Sequence, residues 1–285
     1  MKNLSAILLV SSFHLVVAFG NDMPTPETGA AASNEWTMLA VRMSLNPESI
    51  GRNPSPPVRG IALGIGWLGV DGPLHGVGIG GLSVISEGGS GVACAGFLAL
   101  SGSRDMQKNR SCWRGVQSSL VFSGTDDCSG VQFGLIGAAS ERLSGIQVGG
   151  LAAIGEQLDG ISAGCVFNSV GTGNGIVCSL GFTSTGNALA LANAPSLPFC
   201  GLQLAGIANF ASDIYGTQVA LGANVSDVCH GVQASAIYNR TEELHGLQIG
   251  LVNEARSGAG VQIGLFNFFG DGDDRLLLPI INARF

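Results

Sequence analysis

The chain has 285 residues, 45 of them glycine, with only 12% charged residues against 46% hydrophobic ones and a formal net charge of −7. So much glycine disfavours helices, since each Gly inside a helix costs about 1 kcal/mol relative to Ala. The apolar content is too high for a solvated coil, and the negative charge disfavours binding to phosphate backbones, so no nucleic-acid partner is expected.

The first twenty residues combine Lys2, an apolar stretch from Ala6 to Phe19 and the small-residue pattern Ala18-Phe19-Gly20. This is the layout of a secretory signal peptide cleaved before Asn21, and it predicts export to the cell surface, the outer membrane or the extracellular space. No later segment has an apolar run long enough for a transmembrane helix, so no helical anchor is expected after cleavage. Residues 21–35 are small and polar and form a flexible leader. The strand formers of Trp36 to Leu45, followed by three prolines before Pro57, make residues 36–59 an N-terminal strand or cap.

A repeat then takes over, spanning residues 60–270. Motif glycines fall at Gly60, Gly76, Gly91, Gly115, Gly130, Gly145, Gly160, Gly175, Gly201, Gly216, Gly231, Gly246 and Gly260, and eight of the twelve steps are 15 residues. A fixed short period marks a stacked array. Residues 271–285 form a C-terminal cap.

Alternation within each repeat predicts strands. In GVQFGLIG the side chains of Val131, Phe133 and Leu135 share one face, and this large apolar set is expected to point inward. By the same phase Val148, Leu204 and Ile249 are expected in the core. Glutamines recur two residues after the motif glycine at Gln117, Gln132, Gln147, Gln203, Gln218, Gln233, Gln248 and Gln262. Stacked in register, they can form an amide ladder. The constant period predicts an all-β chain folded as a β-solenoid of about thirteen 15-residue coils. The alternative is an antiparallel β-barrel of the outer membrane, whose two kinds of turn need not share a length.

The units GLQIGLVN from Gly246 and GVQIGLFN from Gly260, with the closing Pro279 to Phe285, resemble a bacterial exported or cell-surface repeat family built on G-[LV]-Q-[IL]-G-L-x-N units. The likeness spans about residues 36 to 285 and is strongest after Gly201; Ala62, Gly78 and Ala93 replace the glutamine in the early repeats. The family has no established activity, so the resemblance implies a location more than a function; a non-enzymatic role is expected from the absence of any catalytic motif.

No catalytic, cofactor-binding or metal-binding set is expected. Gly64 to Gly69 matches G-x-G-x-x-G, but without a βαβ context it belongs to the repeat. His230 and His245 lie one period apart and should stack on a solvated column. Asp271, Asp273 and Asp274 are expected to close a turn. Seven cysteines leave at least one unpaired in a monomer; Cys112 and Cys128, near the turn on successive repeats, are the candidate bridge. Asn109, Asn224 and Asn239 begin glycosylation sequons.

Two longer steps mark insertions after Gly91 and Gly175, expected to leave the array at equivalent corners. The first gathers Arg104, Lys108, Arg110 and Arg114 beside Trp113. The cations are expected to attract an anionic surface glycan or another envelope component, with the indole stacking on a sugar.

Overall fold

The computed structural model describes residues 6–11, 14–19, 37–42, 58–64, 66–70, 72–102, 111–186, 198–272 and 276–285. The protein is an all-β solenoid of about 12 turns of roughly 15 residues. The chain divides into two compact units, Met1–Ile136 and Gly137–Phe285.

In the first unit, Ala6–Ser11 and His14–Phe19 pair as an antiparallel hairpin. Thr37–Arg42 lies parallel to Val58–Gly64, the opening strand of the array. Gly60 then pairs with Gly76, Gly76 with Gly91, Gly91 with Gly115 and Gly115 with Gly130, all in parallel register. Ala62, Gly78 and Ala93 occupy the glutamine place in this register, so the early repeats keep the period without the amide.

In the second unit the parallel register runs from Gly145 through Gly160, Gly175, Gly201, Gly216, Gly231 and Gly246 to Gly260. Leu276–Arg284 then turns back antiparallel on Val252–Phe269, beginning with Gly260 opposite Arg284. Parallel stacking of successive repeats excludes the antiparallel barrel, in which neighbouring strands run in opposite directions.

The faces of the strands are the reverse of the expected ones. Gln203, Gln218, Gln233, Gln248 and Gln262 are buried, while Phe133 is 37% and Ile249 41% exposed; Val148 and Leu204 are half-buried. In the 15-residue coils the inward positions are the second, fourth, eighth and tenth residues after the motif glycine, and the residue two before the next one; after Gly246 and Gly260 the asparagine comes one place earlier, at Asn253 and Asn267. In the coil from Gly231 these are Gln233, Ser235, Asn239, Thr241 and Leu244. A 15-residue coil encloses a narrow lumen, and at the corner a large side chain does not fit. A Cβ at Gly149 would collide with the carbonyl oxygen of Ala152, and one at Gly164 with that of Phe167. In the second unit the lumen is therefore filled by amides, small residues and one apolar column containing Leu143, Leu158, Phe199, Ile214, Cys229 and Leu244, while in the early repeats of the first unit Leu68, Val70 and Val84 add to the core.

Burying amides without partners would cost about 1–3 kcal/mol each. From Gln203 to Gln262 successive copies bond to one another, whereas Gln117 and Gln147 donate to the backbone carbonyls of Ala99 and Ile154. Gln218 Nε2 donates to Gln203 Oε1 at 2.6 Å, Gln233 to Gln218 and Gln248 to Gln233 at 2.7 Å, and Gln262 to Gln248 at 2.8 Å. A second column runs through Asn209, Asn224, Asn239, Asn253 and Asn267, with successive Nδ2 to Oδ1 distances of 2.7, 2.8, 2.8 and 2.8 Å. Glutamines donate toward the N-terminal end and asparagines toward the C-terminal end, so the amide dipoles of the two columns oppose each other along the axis. Asn224 also donates to Ala234 O and Asn239 to Ile249 O, both at 2.8 Å, tying the column to the opposite wall of the coil.

The motif glycine is set by backbone geometry. Gly231 has φ 142°, and a Cβ there would collide with the carbonyl oxygen of Gly216 in the preceding coil. Any larger residue would force adjacent coils apart at a place where their backbones touch.

Candidate functional site

Three surface features follow from this arrangement. The first is a segregation of charge. In none of the thirteen repeats do the seven residues after the motif glycine include Asp, Glu, Lys, Arg or His. The outward side chains there are mostly apolar: Val116, Val131 and Phe133 in the first unit, and Ile146, Ile161, Val219, Ile249 and Ile263 in the second, are all exposed. Ionisable residues of the coils lie instead on the rest of the circumference. In the second unit Glu141, Glu156, Asp227, Glu242 and Arg256 each stand four residues before a motif glycine. Each coil thus has an uncharged apolar wall and a polar wall.

The second feature is on the polar wall. The His230 and His245 rings stack with centroids 4.6 Å apart, as their spacing predicts, and Tyr215 continues the stack at 4.5 Å from His230. His245 Nε2 lies 2.7 Å from Glu243 Oε1. Among the described residues no group of three or more His, Cys, Asp or Glu is arranged to hold a metal ion. Nearby, burial and then the carboxylates of Asp213 and Glu242 raise the Asp227 carboxyl above its ordinary value. The Tyr238 hydroxyl donates to Glu254 Oε2 at 2.6 Å; burial first, then this bond and the carboxylate charge, push its pKa up to about 12.

The third feature is the pair of insertions. The described residues reach Gly102, eleven after Gly91, and begin again at Ser111, four before Gly115; in the second case they reach Gly186, eleven after Gly175, and begin again at Pro198, three before Gly201. Both insertions therefore leave and rejoin at the same corner, on the charged side. Each returning strand brings an aromatic ring into the lumen two residues before the motif glycine. Trp113 lies opposite Gly89 and Phe199 opposite Gly173, and both rings are fully buried.

This placement corrects the role expected for Trp113. It is 0% exposed and packs in the core with Leu74 and Ala99, so it offers no ring face to a sugar. Its neighbour Arg114 is exposed, as strand alternation requires. Arg104, Lys108 and Arg110 lie outside the described residues. Cys112 and Cys128 do not face each other: Cys112 is opposite Asp127 and Trp113 opposite Cys128, so Cys112 points outward and Cys128 inward, and both are free thiols. Asn224 and Asn239 are fully buried in the amide column, which withdraws both sequons from modification of the folded chain; Asn109 lies outside the described residues. Asp271 Oδ1 accepts a bond from Gly272 N at 3.0 Å, closing the turn before the last strand; Asp273 and Asp274 lie outside the described residues.

The amide ladders were legible from the glutamine spacing, but the asparagine column was missed. Its signal is the recurrence of Asn209, Asn224 and Asn239 at the same interval. Among the described residues no helix is long and apolar enough to cross a membrane. No protein-family model, curated protein or solved structure matches the chain.

Proposed function

We propose that this is a non-enzymatic, exported repeat protein of the cell surface or envelope, structural or partner-binding in role. The observation that carries this reading is the division of the coils into an uncharged apolar wall and a polar wall, repeated from coil to coil within each unit. Such a molecule offers long surfaces rather than a reaction centre. Apolar faces of this extent on soluble proteins generally mark interaction sites. The signal-like first twenty residues and the resemblance to exported repeat proteins support the location. An outer-membrane β-barrel is not retained, because the strands stack in parallel.

The first insertion, between Gly91 and Gly115, is the proposed site for an anionic surface glycan or envelope component. It rests on charge alone, through Arg104, Lys108, Arg110 and Arg114. The test is fractionation of cells producing the full chain, combined with protease treatment of intact cells and the mass of the recovered protein. Recovery in the envelope or medium with loss of residues 1–20 supports the proposal; an intact chain confined to the cytosol overturns it. Binding to acidic polysaccharide at low salt, lost on changing the four cations to Ser, would support the glycan site.

A further inference from the structure

We infer that the apolar wall of the second unit is a self-association surface, covered in solution by the same wall of a second copy. Eight coils, from Gly145 to Gly260, stack in register to form it. At about 4.8 Å per coil and about 3.3 Å per residue over five to seven residues, the wall covers roughly 600–900 Å². Two such walls face to face would bury on the order of 1,200–1,800 Å², the range of specific stable interfaces. It also exceeds the few hundred Å² of contiguous apolar surface that monomeric soluble proteins usually expose.

The wall's chemistry selects the partner. It has no ionisable group to pair with a charged protein surface, so its complement must itself be apolar and flat. A lipid surface meets that description less well. The described residues of this unit carry nine carboxylates, at Glu141, Glu156, Asp159, Asp213, Asp227, Glu242, Glu243, Glu254 and Asp271, against four arginines, at Arg142, Arg240, Arg256 and Arg284. Proteins that lie on membranes usually flank their apolar face with Lys and Arg, which anionic headgroups attract. A second copy needs no such rim. Related by a twofold axis lying in the plane between the two walls, the copies present the same surface to each other and their acidic sides point away from the contact. Side chains of unequal size follow one another along the outward column, as at Leu204, Val219, Ala234 and Ile249, which gives each wall relief for the other to fit.

The experiment is sedimentation velocity on the purified chain from about 1 to 100 μM, with the double variant Val219→Lys/Ile249→Lys. Both side chains point outward, so the lysines are solvated in the monomer and buried unpaired in the dimer. The expected result is a wild-type dimer whose association weakens more than about a hundredfold in the variant, with an unchanged far-UV spectrum and melting curve. Val219→Thr/Ile249→Thr keeps β-branched residues in the strand and should weaken association by a smaller factor, guarding against misfolding of the lysine variant. Glu156→Lys, on the polar wall, should leave the dimer intact. A wild-type monomer throughout the range overturns the proposal, as does a dimer indifferent to both double variants. A monomer that floats with phosphatidylcholine vesicles also overturns it and assigns the wall to lipid.

Discussion

Gln233 Nε2 donates to Gln218 Oε1 at 2.7 Å while Gln233 Oε1 accepts from Gln248 Nε2 at the same distance, and all three side chains are fully buried. A polar column inside a chain this apolar is stable because each amide finds its copy one coil away. Gln233→Leu preserves the approximate volume but orphans a carbonyl below and an N–H above. The expected loss is about 2–5 kcal/mol, read from the urea midpoint. A change below about 0.5 kcal/mol would mean that the ladder contributes nothing net.

Gly231→Ala introduces a Cβ where the backbone has φ 142° and where the carbonyl oxygen of Gly216 already stands. Relief requires adjacent coils to separate, so the loss should exceed about 2 kcal/mol. Gly272→Ala, at φ 53° with open space around it, should cost about 1–2 kcal/mol. Equal effects at both positions would remove coil-to-coil contact as the reason for the motif.

The reversed faces predict an inverted pattern of core sensitivity. Trp113→Ala should cost about 3–5 kcal/mol, whereas Phe133→Ser should stay within about 1 kcal/mol despite removing a large apolar group. Thermal melts of both variants decide it, and the opposite order would restore the assignment expected from the sequence.

Burial pushes the thiol of Cys229 up to about 12, and burial together with nearby Cys112 pushes that of Cys128 up to about 11. Cys112, Cys165 and Cys200 are exposed. Alkylation of the native chain at mildly alkaline pH should label the exposed three and spare Cys128 and Cys229 until denaturant is added. Rapid native labelling of Cys229 would contradict its place in the lumen.

The Asp227 carboxyl has a raised pKa, so the folded chain holds this proton more tightly than the unfolded one. Ionisation then opposes folding: the penalty is absent below the unfolded value of 3.8 and grows as pH rises through the folded value. Asp227→Asn should therefore raise the denaturation midpoint at neutral pH and have little effect near pH 3. A variant less stable at neutral pH would contradict the repulsion from Asp213 and Glu242.

Period, parallel register and insertion corners were legible in the sequence because a solenoid forces equal spacing on equivalent residues. The inward face was not. Val131, Phe133 and Leu135 are the larger and more apolar set, and in a sheet packed on a broad core they would point inward. A 15-residue coil reverses this choice: the lumen is narrow, and the glutamine column satisfies its own hydrogen bonds only when stacked inside. The glycines at Gly149 and Gly164 carried the signal, since their place two residues after the amide position leaves no room for a large inward residue. Trp113 was misplaced for a related reason. Beside four cations it suggests a sugar platform, but it stands two residues before a motif glycine, an inward place of the coil, and is fully buried.

The central claim is that stacked amide columns line the interior of the second unit's in-register parallel coils, beside one apolar column, while the apolar set typified by Ile249 faces outward. It is tested most directly by NMR of the side-chain amides of Gln218, Gln233 and Gln248 after transfer to D₂O. Slow exchange of these NH₂ groups, with cross-peaks between the Gln233 amide and both Gln218 and Gln248, is the predicted result. Exchange at the rate of a free glutamine, with no contacts between successive glutamines, would contradict it.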